Sequence, residues 1–282
     1  MRILLCMCLL LGFVQATTAQ GIAGSKKSDD DDDPYDTRTY FMYGLNYLSN
    51  NVYLGRKDTA VVPYVSPYIG YHLKSGLYAK AMASFTSAPV KHIDLYTLEA
   101  GYDHSFGDHF NGGANLDKYY HSKNTVSIRA STNGSAGIYG QYSNDWLEPQ
   151  INFNADFNKK TDYVLGLDLD HNFKMISNTL NIIPTITMNS GTRYFLDEYF
   201  INRLKKKDAK LKLQKAIPGA GKFSILDYEF STKVTYRTGK WLFTLTPTYA
   251  IPVSPAVITL PNKTVTEQLS NSFYVELDIC HR

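Results

Sequence analysis

From Thr37 onward, apolar and polar residues alternate along the chain with period two. That spacing predicts β-strands with two unlike faces. In the stretch Leu226 to Tyr236, Leu226, Tyr228, Phe230, Val234 and Tyr236 share one face, and Asp227, Glu229, Ser231, Lys233 and Thr235 share the other. Ile151, Phe153, Ala155 and Phe157 alternate in the same way with Glu148, Gln150, Asn152, Asn154 and Asp156. Leu165, Leu167 and Leu169 alternate with Gly166, Asp168 and Asp170, and Phe243, Leu245 and Tyr249 with Thr244, Thr246 and Thr248. These segments exceed the roughly 5–6 residues usual in a soluble sheet. Tyr47, Tyr71, Tyr163, Tyr236, Tyr249 and Phe273 recur near their ends on the apolar face. Long two-faced segments with terminal aromatics predict a transmembrane antiparallel β-barrel, an all-β fold.

About twelve strands are expected, near 37–48, 62–74, 76–88, 93–105, 109–121, 133–143, 147–158, 162–174, 179–190, 223–237, 240–251 and 268–280. Short connections at 74–76, 106–108, 144–145, 174–178 and 238–239 alternate with longer ones at 49–61, 122–132, 191–222 and 252–267. Two on the long-loop side, near 88–92 and 159–161, are short. Short turns belong on the periplasmic side and long loops outside, which puts both barrel ends in the periplasm. Pro67, Pro149, Pro184 and Pro247 fall inside expected strands. Because proline lacks a ladder donor, each is expected at a bulge or a strand end.

Ahead of the barrel, expected over 37–282, Arg2 precedes an apolar run from Ile3 to Val14 and then Ala16-Thr17-Thr18-Ala19-Gln20. This is the order of a signal peptide over 1–19, cleaved after Ala19. Residues 20–36 carry Asp29 to Asp33 and Asp36 and read as a disordered acidic leader. Cys6 and Cys8 would leave with the signal, so Cys280 has no intrachain partner in the mature chain.

Composition narrows the function without naming it. The 282 residues hold 22 Tyr and 20% charged residues, and the net charge of +3 carries no nucleic-acid signature. The polar strand faces bring Glu99, Asp103, Asp117, Glu148, Asp156, Asp168, Asp170, Asp227, Glu229, Glu276 and Asp278 into the expected lumen, with Lys80, Lys233 and Arg237 against them. An acid-rich lumen favours cations, so a passive pore for small solutes is the leading expectation. A filled, closed barrel with its carboxylates networked inside is the alternative. The segment 191–222 departs from the strand pattern and reads as partly helical over 192–216. It carries a charge of +6 against −3 for the rest of the chain, with Arg203, Lys205, Lys206, Lys207, Lys210, Lys212 and Lys215 clustered. Such a loop could plug the acidic lumen or meet outer-leaflet lipopolysaccharide. The expected partners are the lipid bilayer, lipopolysaccharide, the barrel-insertion machinery and small solutes, with no nucleic acid.

No catalytic residue, metal or cofactor is expected. Asp103-His104 and Asp170-His171 are adjacent in sequence, so their side chains point to opposite faces of a strand. Asp168 and Asp170 share a face but lack a nucleophile or base beside them in the pattern.

The segments Lys222-Phe-Ser-Ile-Leu-Asp-Tyr-Glu-Phe, Thr246-Pro-Thr-Tyr-Ala-Ile-Pro-Val-Ser-Pro-Ala and Leu269-Ser-Asn-Ser-Phe-Tyr resemble outer-membrane β-barrel proteins of Bacteroidota, as does cleavage before Gln20. The resemblance implies a cell outer membrane location. Most such proteins have no assigned activity, so it brings no catalytic residue. One departure is the end of the chain, Leu277-Asp278-Ile279-Cys280-His281-Arg282, which lacks the terminal aromatic usual in these barrels.

Overall fold

A computed structural model describes residues 38–57, 61–87, 91–123, 125, 127–144, 146–177, 179–197, 199–200, 217–260 and 263–282. The expected signal peptide and acidic leader lie outside the described residues. In chain order the strands are β1 (Tyr40–Leu48), β2 (Val52–Tyr53), β3 (Arg56–Lys57), β4 (Tyr64–His72), β5 (Leu77–Thr86), β6 (His92–Phe106), β7 (Phe110–His121), β8 (Gly134–Tyr142) and β9 (Glu148–Phe157). There follow β10 (Asp162–Asp170), β11 (Phe173–Met175), β12 (Leu180–Gly191), β13 (Ser224–Thr238), β14 (Trp241–Pro252), β15 (Val257–Leu260), β16 (Lys263–Thr266) and β17 (Ser272–His281).

The strands form an antiparallel meander that closes on itself. β1 pairs with β4 on one side and β17 on the other, and β10 pairs with β12. β11 continues the line of β10 along the same neighbour, Phe173 facing Ile182 where Asp170 faces Thr185. The result is a closed barrel of 12 strands. Closure leaves the wall without an edge, so its backbone donors and acceptors find partners without water.

The alternation sorts the side chains as expected. Phe41, Tyr43, Leu45 and Tyr47 of β1 face outward and are exposed, as are Ile69 and Tyr71 of β4, Ile151 and Phe153 of β9, and Leu245 and Tyr249 of β14. One assignment needs correction. Leu226 belongs to the apolar outer face by parity, yet it is fully buried. The register of β12 against β13 shifts there, with Asn189 facing Asp227 and Ser190 facing Ile225. Leu226 is the extra residue of this bulge, which turns it inward.

Each strand proline sits at a gap in one ladder. Pro67 pairs with Leu45 of β1, but the β4–β5 pairing skips from Val65 to Tyr68. Pro184 lies where β10 gives way to β11, and Pro247 lies where the β13–β14 pairing skips from Thr248 to Leu245. Pro149 is the second residue of β9 and has no partner in β8. The missing N–H donors therefore fall where the ladder is already broken.

Loops at one end are short: 73–76, 107–109, 143–147 and 239–240, plus 171–179, which holds β11. The other end carries 49–63, 87–91, 122–133, 158–161, 192–223 and 253–271. Two hairpins absent from the strand pattern, β2–β3 and β15–β16, lie in these longer loops. Residues 194–197 and 199–200 are helical, at the start of the expected helix, and 201–216 lie outside the described residues.

Candidate functional site

The inward faces hold the carboxylates expected in the lumen, and most are tied into the wall by hydrogen bonds. Asp103 accepts from Tyr139 at 2.9 Å, Glu99 from Tyr78 at 2.8 Å and Asp117 from Ser135 at 2.7 Å. Thr187 donates to Asp168 at 3.0 Å, Asn46 to Glu276 at 2.6 Å, Tyr68 to Asp278 at 3.0 Å and Tyr274 to Glu229 at 3.2 Å. Several carboxylates sit side by side: Glu99 faces Asp117 across β6 and β7, and Glu148 faces Asp170 across β9 and β10. Lys80 meets Glu99 at 3.2 Å. Lys233 lies on the inward face of β13, as do Asp227 and Glu229.

Access to these residues changes along the barrel axis. Near the short turns, inward Asp103, Glu148, Gln150, Thr185, Lys233, Arg237 and Asp278 are half-buried. Toward the long loops, Asp156, Val164, Asn189, Asp227, Thr248 and Tyr274 are buried. At the same short-turn end inward Asn111, Gln141 and Asp170 are buried, so packing inside the wall is uneven, and loops cover the other end.

The cover is a cap built by four loops. Tyr53 and Leu54 from the β2–β3 hairpin, Ile128 from 122–133, Phe195, Leu196, Ile217 and Ala220 from 192–223, and Ala256 and Ile258 from 253–271 form one buried apolar cluster with Val164 and Leu226 of the wall. The hairpin turns at Leu54 and Gly55, with φ of 49° and 70°. Two consecutive positive φ values make the tight turn that suits a two-residue hairpin. At Gly55 a Cβ would come within 2.8 Å of the Asp227 Cβ and 2.9 Å of the Pro252 Cα, so only glycine lets the tip seat against the wall.

Polar clasps hold the cap. The Tyr53 hydroxyl donates to Asp156, and Arg129 donates to the other Asp156 oxygen at 3.2 Å while lying 4.5 Å over the Tyr53 ring. Burial opposes the Arg129 charge, but Asp156 outweighs it and holds the guanidinium above its ordinary pKa. Burial and then the Asp156 charge push the Tyr53 hydroxyl well up, with Arg129 opposing. Arg56 donates to the carbonyls of Leu54 at 3.0 Å, Leu226 at 3.3 Å, Val253 at 3.1 Å and Ser254 at 3.1 Å, and pairs with Glu267 at 3.1 Å. It therefore ties the bulge and the loop together, at a Leu226 carbonyl that also accepts from the Val253 N–H at 2.8 Å. Arg193 also donates to the Ser254 carbonyl, and burial together with the nearby Arg56 charge lowers its pKa.

Two carboxylates of this region were not among the expected lumen residues. Asp162 accepts from Thr192 at 2.8 Å and from the backbone N–H groups of Tyr194 at 2.6 Å and Phe195 at 2.7 Å, capping the helical start. It shares parity with Asp168 and Asp170, so the alternation already placed it inside. Asp94 takes Tyr64 at 2.5 Å, Thr125 at 2.8 Å and His92 at 2.9 Å. The register shift beside it, between Ser84 and Phe85, hides it from a parity reading. The basic cluster Arg203, Lys205, Lys206, Lys207, Lys210, Lys212 and Lys215 lies outside the described residues. The His neighbours of lumen acids point away: Asp103 turns inward, whereas His104 is exposed and stacks on Tyr102. Among the described residues no group of three His, Cys, Asp or Glu is placed to hold a metal ion.

The wall decides the setting. Its exposed outer face is apolar, its inner face is polar, and Tyr43 and Trp241 mark the short-turn rim with rings 6.3 Å apart. Strands of 9 to 15 residues reach across roughly 30 Å of hydrocarbon when tilted. Such a belt is insoluble as a free surface and stable in lipid. This is a transmembrane β-barrel.

No protein-family model matches the chain, and no curated protein matches it. Among solved structures, a KdgM porin is similar over 86% of this chain and 99% of its own, at 10% identity and a TM-score of 0.48. A NanC porin is similar over 86% of this chain and 100% of its own, at 11% identity and a TM-score of 0.46. LpxR from Salmonella typhimurium is similar over 85% of this chain and 99% of its own, at 9% identity and a TM-score of 0.44.

Proposed function

We propose that the protein is a passive outer-membrane channel for small solutes, with an acid-lined, cation-favouring lumen and a mouth closed by the loop cap in this state. The observation that supports this reading is the acid-rich inner face of the wall, half-buried at Asp103, Glu148 and Asp278 near the short turns. Its carboxylates outnumber Lys80, Lys233 and Arg237, so the field along it attracts cations. The cap is built by four loops around one apolar cluster, and its displacement would open the lumen to the outside. On this reading the barrel performs no covalent chemistry. The resemblance of 222–230, 246–256 and 269–274 to Bacteroidota barrels agrees with a mature chain that starts at Gln20, after a signal peptide and ahead of an acidic leader.

Liposome swelling tests it. Vesicles holding the protein with Val52–Lys57 replaced by a Gly-Ser turn should swell in a small sugar such as arabinose, several-fold faster than vesicles holding the unaltered chain. Equal swelling of both, with the barrel shown folded by heat-dependent gel mobility, would count against a channel.

A second reading has its own observation. The cap is apolar, buried and built from four loops, as a permanently closed barrel acting through its outer surface would have it. On that reading the cluster from Arg203 to Lys215 meets the phosphates of lipopolysaccharide, and replacing its basic residues by Gln abolishes that binding while leaving swelling unchanged.

A further inference from the structure

The inner wall sets two pairs of carboxylates directly opposite each other on neighbouring strands: Glu99 with Asp117 across β6 and β7, and Glu148 with Asp170 across β9 and β10. Like charges so placed repel, and burial weakens the screening between them. The chain itself compensates the first pair. Lys80, opposite Glu99 on β5, brings its ammonium to 3.2 Å from that carboxylate. Tyr78 donates to Glu99 at 2.8 Å, and Ser135 and Asn115 donate to Asp117 at 2.7 and 2.8 Å.

The second pair repeats this layout without the cation. Thr185 of β12 stands opposite Asp170, where Lys80 stands opposite Glu99. Among the described residues no side chain donates a hydrogen bond to Glu148 or Asp170, and Lys174 and Lys233 act on the pair through space without closing an ion pair. Oδ1 of Asp170 is buried and has no hydrogen-bond partner.

Gln141 is an independent sign of a ligand here. It lies on the inward face of β8, opposite Gln150 and so diagonal to Glu148, a spacing that a long side chain covers. It is 1% exposed, and neither its Oε1 nor its Nε2 has a partner. Unmatched polar groups at such depth are costly. A cation among Glu148, Asp170 and Gln141 offsets the repulsion and gives the amide oxygen a donor. A bare metal ion needs its ligands to converge, and among the described residues no group of three His, Cys, Asp or Glu does so. An ammonium instead reaches separate oxygens through three N–H groups, each at about 2.8 Å. Lys80 shows that this wall answers a carboxylate pair in that way.

We propose that Glu148, Asp170 and Gln141 form a binding site for the primary ammonium group of a small cationic solute. Binding there is independent of flux. That the site selects the solute passing through the lumen rests on the channel reading.

The test is proton NMR of methylammonium titrated with the refolded chain in zwitterionic detergent, at low salt and about pH 8, where the amine is charged and carboxylates are ionised. The expected result is saturable line broadening, weakened about tenfold in the Glu148→Gln/Asp170→Asn double variant and several-fold in Gln141→Leu. Thr185→Lys supplies a tethered ammonium of the kind that Lys80 supplies to the first pair, and it should abolish the broadening. Heat-dependent gel mobility confirms that each variant is folded, and the near-isosteric double variant carries the test if Thr185→Lys does not fold. No broadening, equal broadening in the double variant, or displacement of methylammonium by an equal concentration of potassium overturns the proposal. Methylammonium binding by an uncapped barrel that passes no current upholds the site and counts against the channel. Current without methylammonium binding overturns the site alone.

Discussion

Asp156 is the residue on which the cap turns. It receives Tyr53 from one loop and Arg129 from another while standing on the wall of β9. Removing one member of a buried ion pair leaves the other charge unpaired at a cost of about 3–5 kcal/mol. Arg129→Ala should therefore destabilise the cap by about that amount, read as protease cleavage in 49–63 and 122–133 with the strands still protected. Leu54→Ala should cost about 2–4 kcal/mol through lost apolar burial, read by the same cleavage. The clasp also has an alkaline limit. The Tyr53 pKa is raised in the folded state, so its contribution is complete below about pH 10, the ordinary tyrosine value, and is lost as pH climbs toward the folded value. Protease protection of the hairpin should hold from neutral pH to about pH 9 and fall above pH 10, and Tyr53→Phe should remove that fall. Protection that is flat through pH 11 in the unaltered chain would contradict the clasp.

At the scale of elements, the strands were legible because alternation is a local property. Ile151 to Phe157 and Leu165 to Asp170 announce their faces without knowledge of their neighbours, and so the lumen carboxylates were found by parity. Parity fails where a bulge inserts a residue, so it assigns Leu226 to the outer face and gives no signal for Asp94. The cap was not legible. Val52, Tyr53 and Leu54 form too short a run to show a period, and their burial depends on Ile128, Phe195 and Ile258 arriving from far along the chain. The Leu54-Gly55 pair beside two apolar residues was the one available sign of a hairpin. Its role gives a sharp prediction at this scale. Gly55→Ala should displace the whole hairpin, because a methyl group there meets the backbone of Pro252 and the side chain of Asp227. Cleavage near Lys57 should rise at least several-fold, and a variant that resists cleavage as the unaltered chain does would place the hairpin elsewhere.

Across the whole molecule, an acid-rich inner face and an apolar loop cap stand along one axis. On the channel reading, a cation inside the wall meets Asp103, Glu148 and Asp278 near the short turns and the cap at the far end. The belt of outward Tyr, Phe and Leu holds both at fixed depth in the bilayer.

Reversal potential in a planar bilayer under a KCl gradient tests the central claim most directly, with the chain compared before and after replacement of Val52–Lys57. The account predicts low conductance from the capped barrel and steady conductance from the uncapped one, with a reversal potential on the potassium side. A chloride-favouring reversal, or no conductance from an uncapped barrel that is folded and inserted, would contradict it.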